Sequence, residues 1–390
     1  MSDILRQGRD HEPGPWRRRL VALAVLVGLL AAVILTHLPH HRAPRPHPAA
    51  VVTGPDGITG PTLAWAPSLR VPVATEHPAL LSPAAGRLQL IGGLPVNPAG
   101  YQFTQVGGGW AIQANPARAQ PPRAVCDVCA GSPQPVYFLP ERGRSAALVA
   151  PADAVAPAAA ARAMWLTSYP RGVSLQLAAG RAREVGAAGR QLHAPVRLPA
   201  GYMIVRGTVR GLLLAAVGPR PGAPAEGLLD PATGHLTAVR TPVVAASATE
   251  LAVTAPCSSA SCRLVVSNLG TGRSGDVVLP PGTSVANAAF SPDGSYLALQ
   301  VNAAPGGADG GSATRLEVAA TATGQLTPVP DTSLSSDALI GFGWPPGGDQ
   351  LVAELSFTTK VQLASWRPGA TQLAVTVVRP GHGADSIFTG

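Results

Sequence analysis

The chain has 390 residues, of which 46% are hydrophobic and 13% charged, and its formal net charge at neutral pH is +8. This length is ample for a large buried core. Part of the basic excess lies in the N-terminal tail, and no stripe of basic residues interleaved with aromatic residues follows it. The composition therefore argues against nucleic acid as a partner.

The first element is a membrane-length apolar run, LVALAVLVGLLAAVILTHL, at residues 20–38. As a helix it spans roughly 28 Å, close to the hydrocarbon thickness of a bilayer. Three arginines, at residues 17–19, precede it directly, so the positive-inside rule places the tail at residues 1–19 in the cytoplasm. A cleaved secretory signal is the alternative, but the run is longer than a typical signal core. We expect an uncleaved, single-pass anchor in the cell membrane, with the remaining chain extracytoplasmic.

Residues 39–61 form a Pro-, His- and Gly-rich segment without periodicity, which predicts an exposed linker. Its prolines favour an extended polyproline conformation that lifts the next domain away from the membrane. His37, His40, His41 and His47 lie in or beside this segment. They are interpreted as solvated residues, with metal binding as the alternative.

Beyond the linker, short apolar runs alternate with turn residues, and a helical period is almost absent. Residues 285–330 show the pattern best, with the strands VANAAF, SYLALQV, RLEVAATATG and QLTPVP. Asp293-Gly294 is predicted to close the first hairpin and Thr323-Gly324 the last, because both pairs suit turns that need a positive φ. The unit is therefore a four-stranded antiparallel sheet.

The same four-strand unit recurs through most of the chain. Its six copies average about 46 residues, a period typical of β-propeller blades. Because each sheet is apolar on both faces, it becomes soluble only when neighbouring sheets in a ring cover those faces. A shorter segment, 62–98, is predicted to be one further blade, which favours an all-β, seven-bladed propeller at residues 62–380, with six blades as the alternative and a C-terminal tail at 381–390. The copies are 101–150, 153–199, 201–242, 243–280, 285–330 and 337–378.

Two of the units carry a weaker pattern. In 153–199 we predict strands at MWLTSYP and VSLQLAA, and in 62–98 at TLAWAP, RVPVA and RLQLIGG. Four aromatic residues occupy similar positions in their units and are expected to pack between blades, with the lining of a central tunnel as the alternative. They are Trp110, Trp165, Phe290 and Trp344.

The four cysteines form two close pairs, Cys126 with Cys129 and Cys257 with Cys262. Both pairs are expected between the second and third strands of their units. Structural disulfides are the favoured interpretation, because they persist outside the cytoplasm. A zinc site or a redox motif is the alternative, although the further ligands or the helix that these would need are not visible.

The phrase FSPDGSYLALQ at residues 290–300 resembles the repeat motif of WD-repeat-like and TolB-like propellers. LPAGYMIVRGTVRGLLLA, LLDPATG and CRLVVSNLGTG are similar to segments of bacterial membrane-anchored propeller proteins of uncharacterised function. The resemblance covers about residues 101–378 and implies the architecture, not a reaction. The Gly-His and Trp-Asp dipeptides of strict WD repeats are absent, and the resemblance brings no active site.

The remaining motifs favour structural interpretations. Gly270 to Gly275 matches a dinucleotide-binding pattern, but a strand follows it where a helix would be needed, so we interpret it as a hairpin turn. Asp309 in a glycine-rich segment is a weak calcium candidate. The histidines beyond the linker are dispersed and select no catalytic group: His77, His193, His235 and His382.

We therefore predict no catalytic residue, no metal site and no cofactor. The favoured function is a non-catalytic binding or scaffolding module for an envelope protein or a cell-wall ligand, since propeller loops on rigid strands suit recognition. The alternative is an extracytoplasmic hydrolase or lyase with its site at the central channel. A sensor ranks third, because the N-terminal tail is too short for a folded domain.

Overall fold

The computed structural model describes residues 57–58, 63–74, 77–116, 133–218, 222–257, 262–303, 313–335, 339–346, 348–357 and 361–378. All of them belong to one compact unit, Val51–Gly390. The predicted cytoplasmic tail, the membrane helix and most of the linker lie outside these residues. Within the described residues, no helix has the length and apolar character that a membrane crossing requires.

The described chain folds into seven antiparallel sheets, which we number as blades 1–7 in chain order. Blade 1 contains β1 (Val71–Val73), β2 (Ala79–Ser82) and β3 (Arg87–Leu90), with a 3-10 turn at Pro83–Ala85. Blade 2 contains β4 (Tyr101–Val106), β5 (Gly109–Ala114), β6 (Gln134–Pro140) and β7 (Ala147–Ala152). Blade 3 contains β8 (Ala154–Pro157), β9 (Ala163–Ser168), β10 (Arg181–Gly186) and β11 (Val196–Arg197). Blade 4 contains β12 (Tyr202–Thr208), β13 (Gly211–Ala216), β14 (Glu226–Leu229) and β15 (Leu236–Val239).

The remaining three blades follow the same order. Blade 5 contains β16 (Val243–Ala246), β17 (Glu250–Thr254), β18 (Arg263–Asn268) and β19 (Ser274–Val278). Blade 6 contains β20 (Thr283–Phe290), β21 (Tyr296–Ala303), β22 (Ala313–Ala320), β23 (Leu326–Pro328) and the short β24 (Leu334–Ser335), which pairs with β22. Blade 7 contains β25 (Leu339–Gly343), β26 (Leu351–Ser356), β27 (Val361–Trp366) and β28 (Ala374–Val378).

This architecture confirms the all-β, seven-bladed propeller, and the six-bladed alternative is wrong. Two predicted turns in blade 6 are also confirmed. Gly294 lies between β20 and β21 with φ 74°, and Gly324 lies between β22 and β23 with φ 69°. A side chain is strained at such angles, so glycine lets both hairpins turn tightly.

The first strand of each blade is the innermost one. First strands of neighbouring blades lie against each other, as β8 does with β4 and β12, and as β20 does with β16 and β25. Clusters of buried apolar side chains, some of them on these first strands, join six of the seven pairs of neighbouring blades. Each fully buried large apolar side chain contributes roughly 1.5–3 kcal/mol, so these clusters account for much of the stability of the ring.

The ring closes through a segment that precedes blade 1 and crosses blade 7. The backbone N–H of Ile58 donates to Oε1 of Gln362 at 2.8 Å, and Nε2 of Gln362 donates back to the carbonyl of Ile58 at 3.2 Å. Further along, the N–H of Leu63 donates to the carbonyl of Leu373. Trp65 and Leu69 then pack with the core shared by blades 7 and 1.

Several strand predictions were wrong. VSLQLAA at 173–179 is a turn segment in which the N–H groups of Leu177 and Ala178 donate to the carbonyl of Ser174. The third strand of blade 3 is instead β10, whose buried residues are Ala182, Glu184 and Val185, so its apolar signal is weak. TLAWAP is part of the segment that crosses blade 7, and β2 was not predicted.

The aromatic residues do not share one position. Trp110 and Trp165 lie on second strands, whereas Phe290 ends a first strand and Trp344 directly follows one. The three tryptophans are buried, which confirms that they pack in the core. Nε1 of Trp344 donates to the carbonyl of Ala289 at 3.1 Å, so this ring also ties blade 7 to blade 6.

Candidate functional site: the inner wall of the ring

The seven first strands form the wall of the central channel, where propellers commonly bind ligands. These strands contain no Asp, Glu, His or Cys, and Arg206 on β12 is their only charged residue. The tyrosine hydroxyls are engaged with backbone: that of Tyr101 donates to the carbonyl of Pro95, and that of Tyr202 donates to the carbonyl of Pro224. The described wall is thus neutral except for one guanidinium.

The exposed residues of this wall are apolar or neutral polar. Met203 and Val205 on β12 are 39% and 45% exposed, although both belong to an innermost strand. On β20, Ser284 and Asn287 are also exposed. A ligand in the channel would therefore meet methyl groups and neutral polar groups near blades 4 to 6.

A bulge interrupts the first strands of blades 4 to 7. The register shifts by one residue at Val205, Val244, Ala286 and Ile340. Such an extra residue changes the direction in which the following side chains project. In blade 4 the residue that follows the bulge is Arg206, so the bulge sets the direction of the single charge.

The register shows which way Arg206 projects. It lies opposite Leu213 on β13, and directly opposed residues of an antiparallel pair share a face. The neighbouring Leu212 and Leu214 pack in the core shared with blade 3, so Leu213 and Arg206 lie on the other face, toward blade 5. The next residue, Gly207, faces blade 3, as the alternation of a strand requires. A Cβ there would lie 2.8 Å from Nε1 of Trp165, so this position needs glycine.

The Arg206 guanidinium has no hydrogen bond or ion pair with any described residue. The side chain is partly buried, and burial lowers its pKa to about 10 without any contribution from a neighbouring charge. A charged group removed from water is costly unless it is paired. Arg206 is thus a poorly hydrated cation that retains its full capacity to donate hydrogen bonds.

The interface between blades 4 and 5 also differs from the others. Clusters of buried apolar side chains join blades 1 and 2, 2 and 3, 3 and 4, 5 and 6, 6 and 7, and 7 and 1. Among the described residues, no such cluster joins blade 4 to blade 5. We call this interface the 4–5 seam.

Polar contacts hold the two ends of the 4–5 seam. At one end, the N–H of Val209 donates to the carbonyl of Ala248, and Nε of Arg210 donates to the carbonyl of Leu269 at 2.6 Å. At the other end, the N–H of Val243 donates to the carboxylate of Glu226 at 2.6 Å. Arg206 lies on the strand between these ends.

A second concave feature lies at the junction of blades 6 and 7. It is a cleft of about 240 Å³ lined by Ser291, Asp293, Tyr296, Trp344, Asp349 and Arg367, among others. Its groups are already paired: the carboxylate of Asp293 accepts from both serine hydroxyls of its turn, and the Tyr296 ring stacks on Trp344. Burial raises the pKa of Asp293, but the serine hydrogen bonds outweigh it and leave the pKa lowered. This arrangement stabilises the predicted turn.

A histidine–carboxylate contact lies in blade 3. Nε2 of His193 lies 3.5 Å from Oε2 of Glu184, whose pKa burial raises and His193 lowers in part. Glu184 is on β10, the third strand of blade 3, so the pair does not face the channel. No other predicted histidine joins it: His235 lies in an exposed turn, 3.4 Å from the Thr237 hydroxyl.

The other predicted residues are placed as follows. Cys257 and Cys262 form a disulfide between β17 and β18, as predicted. Gly272 has φ 72° in the turn between β18 and β19, which confirms the hairpin interpretation of the glycine motif. Within the described residues, no group of three or more His, Cys, Asp or Glu could hold a metal ion. Eight of the residues singled out in the sequence lie outside the described residues: Cys126, Cys129, Asp309, His382 and the histidines at 37, 40, 41 and 47.

Comparisons with known proteins return structures only. No family model and no curated protein matches the sequence. An acylaminoacyl peptidase from Pyrococcus horikoshii aligns over 78% of this chain and 48% of its own, with 9% identity and a TM-score of 0.51. TolB from Acinetobacter baumannii aligns over 80% of this chain and 64% of its own, with 10% identity and a TM-score of 0.41. This chain thus spans less than two thirds of either protein, and the likeness to the peptidase shows the propeller fold alone.

Arg206 was not among the residues predicted from the sequence. The strand YMIVRGTV was predicted, and a single arginine among apolar residues was the available signal. Such a residue is ordinarily placed on the solvent face of a half-buried strand. The place of Arg206 beside the channel follows from the bulge and from the innermost position of β12, and neither is visible in the sequence.

Proposed function

We propose that this protein is a membrane-anchored, extracytoplasmic propeller that binds a ligand or an envelope partner through the inner wall of its ring. The observation that carries the proposal is the composition of that wall, which presents apolar and neutral polar groups around one arginine. General acid–base catalysis needs a titratable group within hydrogen-bond reach of the substrate. A neutral wall with one cation suits recognition better than hydrolysis or elimination.

The external location rests on the sequence. The apolar run at 20–38 and the arginines before it favour a single-pass anchor with an external C-terminal domain. The Cys257–Cys262 disulfide supports this location, because such bonds persist in oxidising compartments. Protease applied to intact cells should therefore digest most of the chain, and protection of the whole chain would contradict the proposed topology.

Affinity enrichment tests the binding role. The full-length protein in a non-ionic detergent is immobilised and exposed to an envelope extract from the producing cells. Two variants accompany it: Val205→Glu places a charge on the inner wall, and Val278→Glu places the same charge on the outer strand β19, where Val278 is 59% exposed.

The expected result is a component that the wild type and Val278→Glu retain and Val205→Glu loses. Loss with Val278→Glu alone would move the binding surface to the outside of the ring. A component recovered in chemically altered form would favour the alternative enzyme function, and absence of any retained component would contradict a binding module.

A further inference from the structure

The 4–5 seam combines features that a packed blade interface does not need. Arg206 faces it from blade 4 without a partner among the described residues, and the apolar cluster present at the other six interfaces is missing here. Glu226 shares the face of Arg206, because it opposes Ala215, which in turn opposes Met203. However, its carboxylate accepts from the N–H of Val243, and no ion pair joins it to Arg206.

An unpaired, partly buried cation makes the empty protein less stable than an apolar side chain would. Burying a charge without a partner costs several kcal/mol, whereas well-packed hydrophobic residues at such positions are often stabilising. Sites that sacrifice stability in this way are typical of binding and catalysis. Arg206 is therefore explained best by a partner that lies outside the described residues.

The side chains around Arg206 indicate the chemical class of that partner. A guanidinium matches the two oxygens of a carboxylate with parallel hydrogen bonds, which a point charge does not. Met203 lies on the same face of β12 and is 39% exposed, and Val205 at the bulge is 45% exposed. An anion with an apolar body would cover both side chains while its charged end reaches Arg206.

We propose that the 4–5 seam, where β12 lines the channel, binds a carboxylate that carries an apolar group. Arg206 is the charged contact, and Met203 and Val205 are the apolar contacts. This inference rests on the proposed binding function and names its ligand class. A free fatty acid and the C-terminus of a peptide share this chemistry. Both can reach a site that opens to the channel of an extracytoplasmic domain.

Calorimetric titration of the full-length protein in non-ionic detergent and Tris buffer tests the proposal. The probes are hexanoate, hexanamide, acetate and inorganic phosphate. We expect hexanoate to bind at least tenfold more tightly than the amide, because the amide lacks the charge, and more tightly than acetate, because acetate lacks the chain. A tripeptide ending in leucine, used as the free acid and as the amide, distinguishes a peptide terminus from a fatty acid.

Three variants separate the roles of charge, geometry and fold. Arg206→Met should abolish hexanoate binding while the unfolding midpoint stays equal to or above that of the wild type. Arg206→Lys should weaken binding, since it keeps the charge and loses the paired hydrogen bonds. Arg273→Met, in an exposed turn of blade 5, makes the same change in net charge and should bind as the wild type does.

The proposal is overturned if Arg206→Met binds hexanoate as tightly as the wild type does, or if the amide binds equally well. Phosphate binding that exceeds hexanoate binding and depends on Arg206 would overturn the ligand class. If no carboxylate binds while the envelope component is still retained by the wild type and lost with Val205→Glu, the inference fails and the binding function stands.

Discussion

The buried amide of Gln362 is one of the contacts that close the ring, and its removal gives a sharp test of the fold. In Gln362→Ala, the backbone N–H and C=O of Ile58 lose the partners that they have at 2.8 and 3.2 Å. An unsatisfied buried polar group costs about 1–3 kcal/mol, so the expected loss in the free energy of unfolding is about 4 kcal/mol. At about 2–4 °C per kcal/mol, the unfolding midpoint should fall by about 10 °C.

The assay is thermal unfolding of the full-length protein followed by circular dichroism, together with limited proteolysis. Gln191→Ala is the control, because Gln191 makes one exposed hydrogen bond from its amide to the carbonyl of His193. That variant should stay within about 0.5 kcal/mol of the wild type. In Gln362→Ala, proteolysis should also cut the segment before blade 1 first. Equal midpoints for the two variants would refute closure through Ile58.

Three further predictions concern single residues of the blades. Burial raises the pKa of Glu184, so the folded state holds its proton more tightly than the unfolded state, and stability falls as pH rises above the ordinary carboxyl pKa. Glu184→Gln should therefore raise the unfolding midpoint at pH 7, and the gain should shrink toward pH 4. Replacing Cys257 and Cys262 by Ser should cost about 2 kcal/mol in a urea titration and leave the far-ultraviolet spectrum unchanged. Gly211→Ala should destabilise far more than Gly222→Ala: both residues have positive φ, but a Cβ at 211 lies 2.3 Å from a carbonyl oxygen, and at 222 it meets nothing within 4 Å.

The fold was predictable where each strand carries its own apolar signal. The strand GLLLAA in blade 4 is a continuous apolar run and YLALQVNA in blade 6 a mostly apolar one, and both are bounded by turn residues, which is typical of strands buried on both faces. The number of blades followed from the repeat length, because a sheet that is apolar on both faces needs a neighbour on each side. These two features placed six blades to within a few residues at each end and indicated the seventh.

The errors occur where tertiary contacts decide the structure. In β10, Ala182 and Val185 are buried among charged neighbours, so its sequence resembles a loop, whereas the apolar segment VSLQLAA lies in a turn that packs against Tyr169. The segment with Trp65 has strand-like residues, yet it crosses blade 7 because the ring must be closed there. Sequence periodicity describes neighbours along the chain and carries no information on such contacts.

The site was not predictable for a related reason. The sequence identifies Arg206 as one arginine among many, and nothing local distinguishes it from an exposed residue. Its significance comes from the bulge at Val205, from the innermost position of β12 and from the absence, among the described residues, of an apolar cluster that joins blades 4 and 5. All three depend on the register of strands and on the packing of blades.

Labelling of an introduced cysteine on intact cells tests the central claim most directly. Ser284 is exposed on the innermost strand β20, and Ser365 is buried on β27. A membrane-impermeant maleimide should label Ser284→Cys on intact cells, and should label neither Ser365→Cys nor the wild type. Labelling of Ser284→Cys only after cell lysis would contradict the extracytoplasmic location, and labelling only after unfolding would contradict an accessible inner wall.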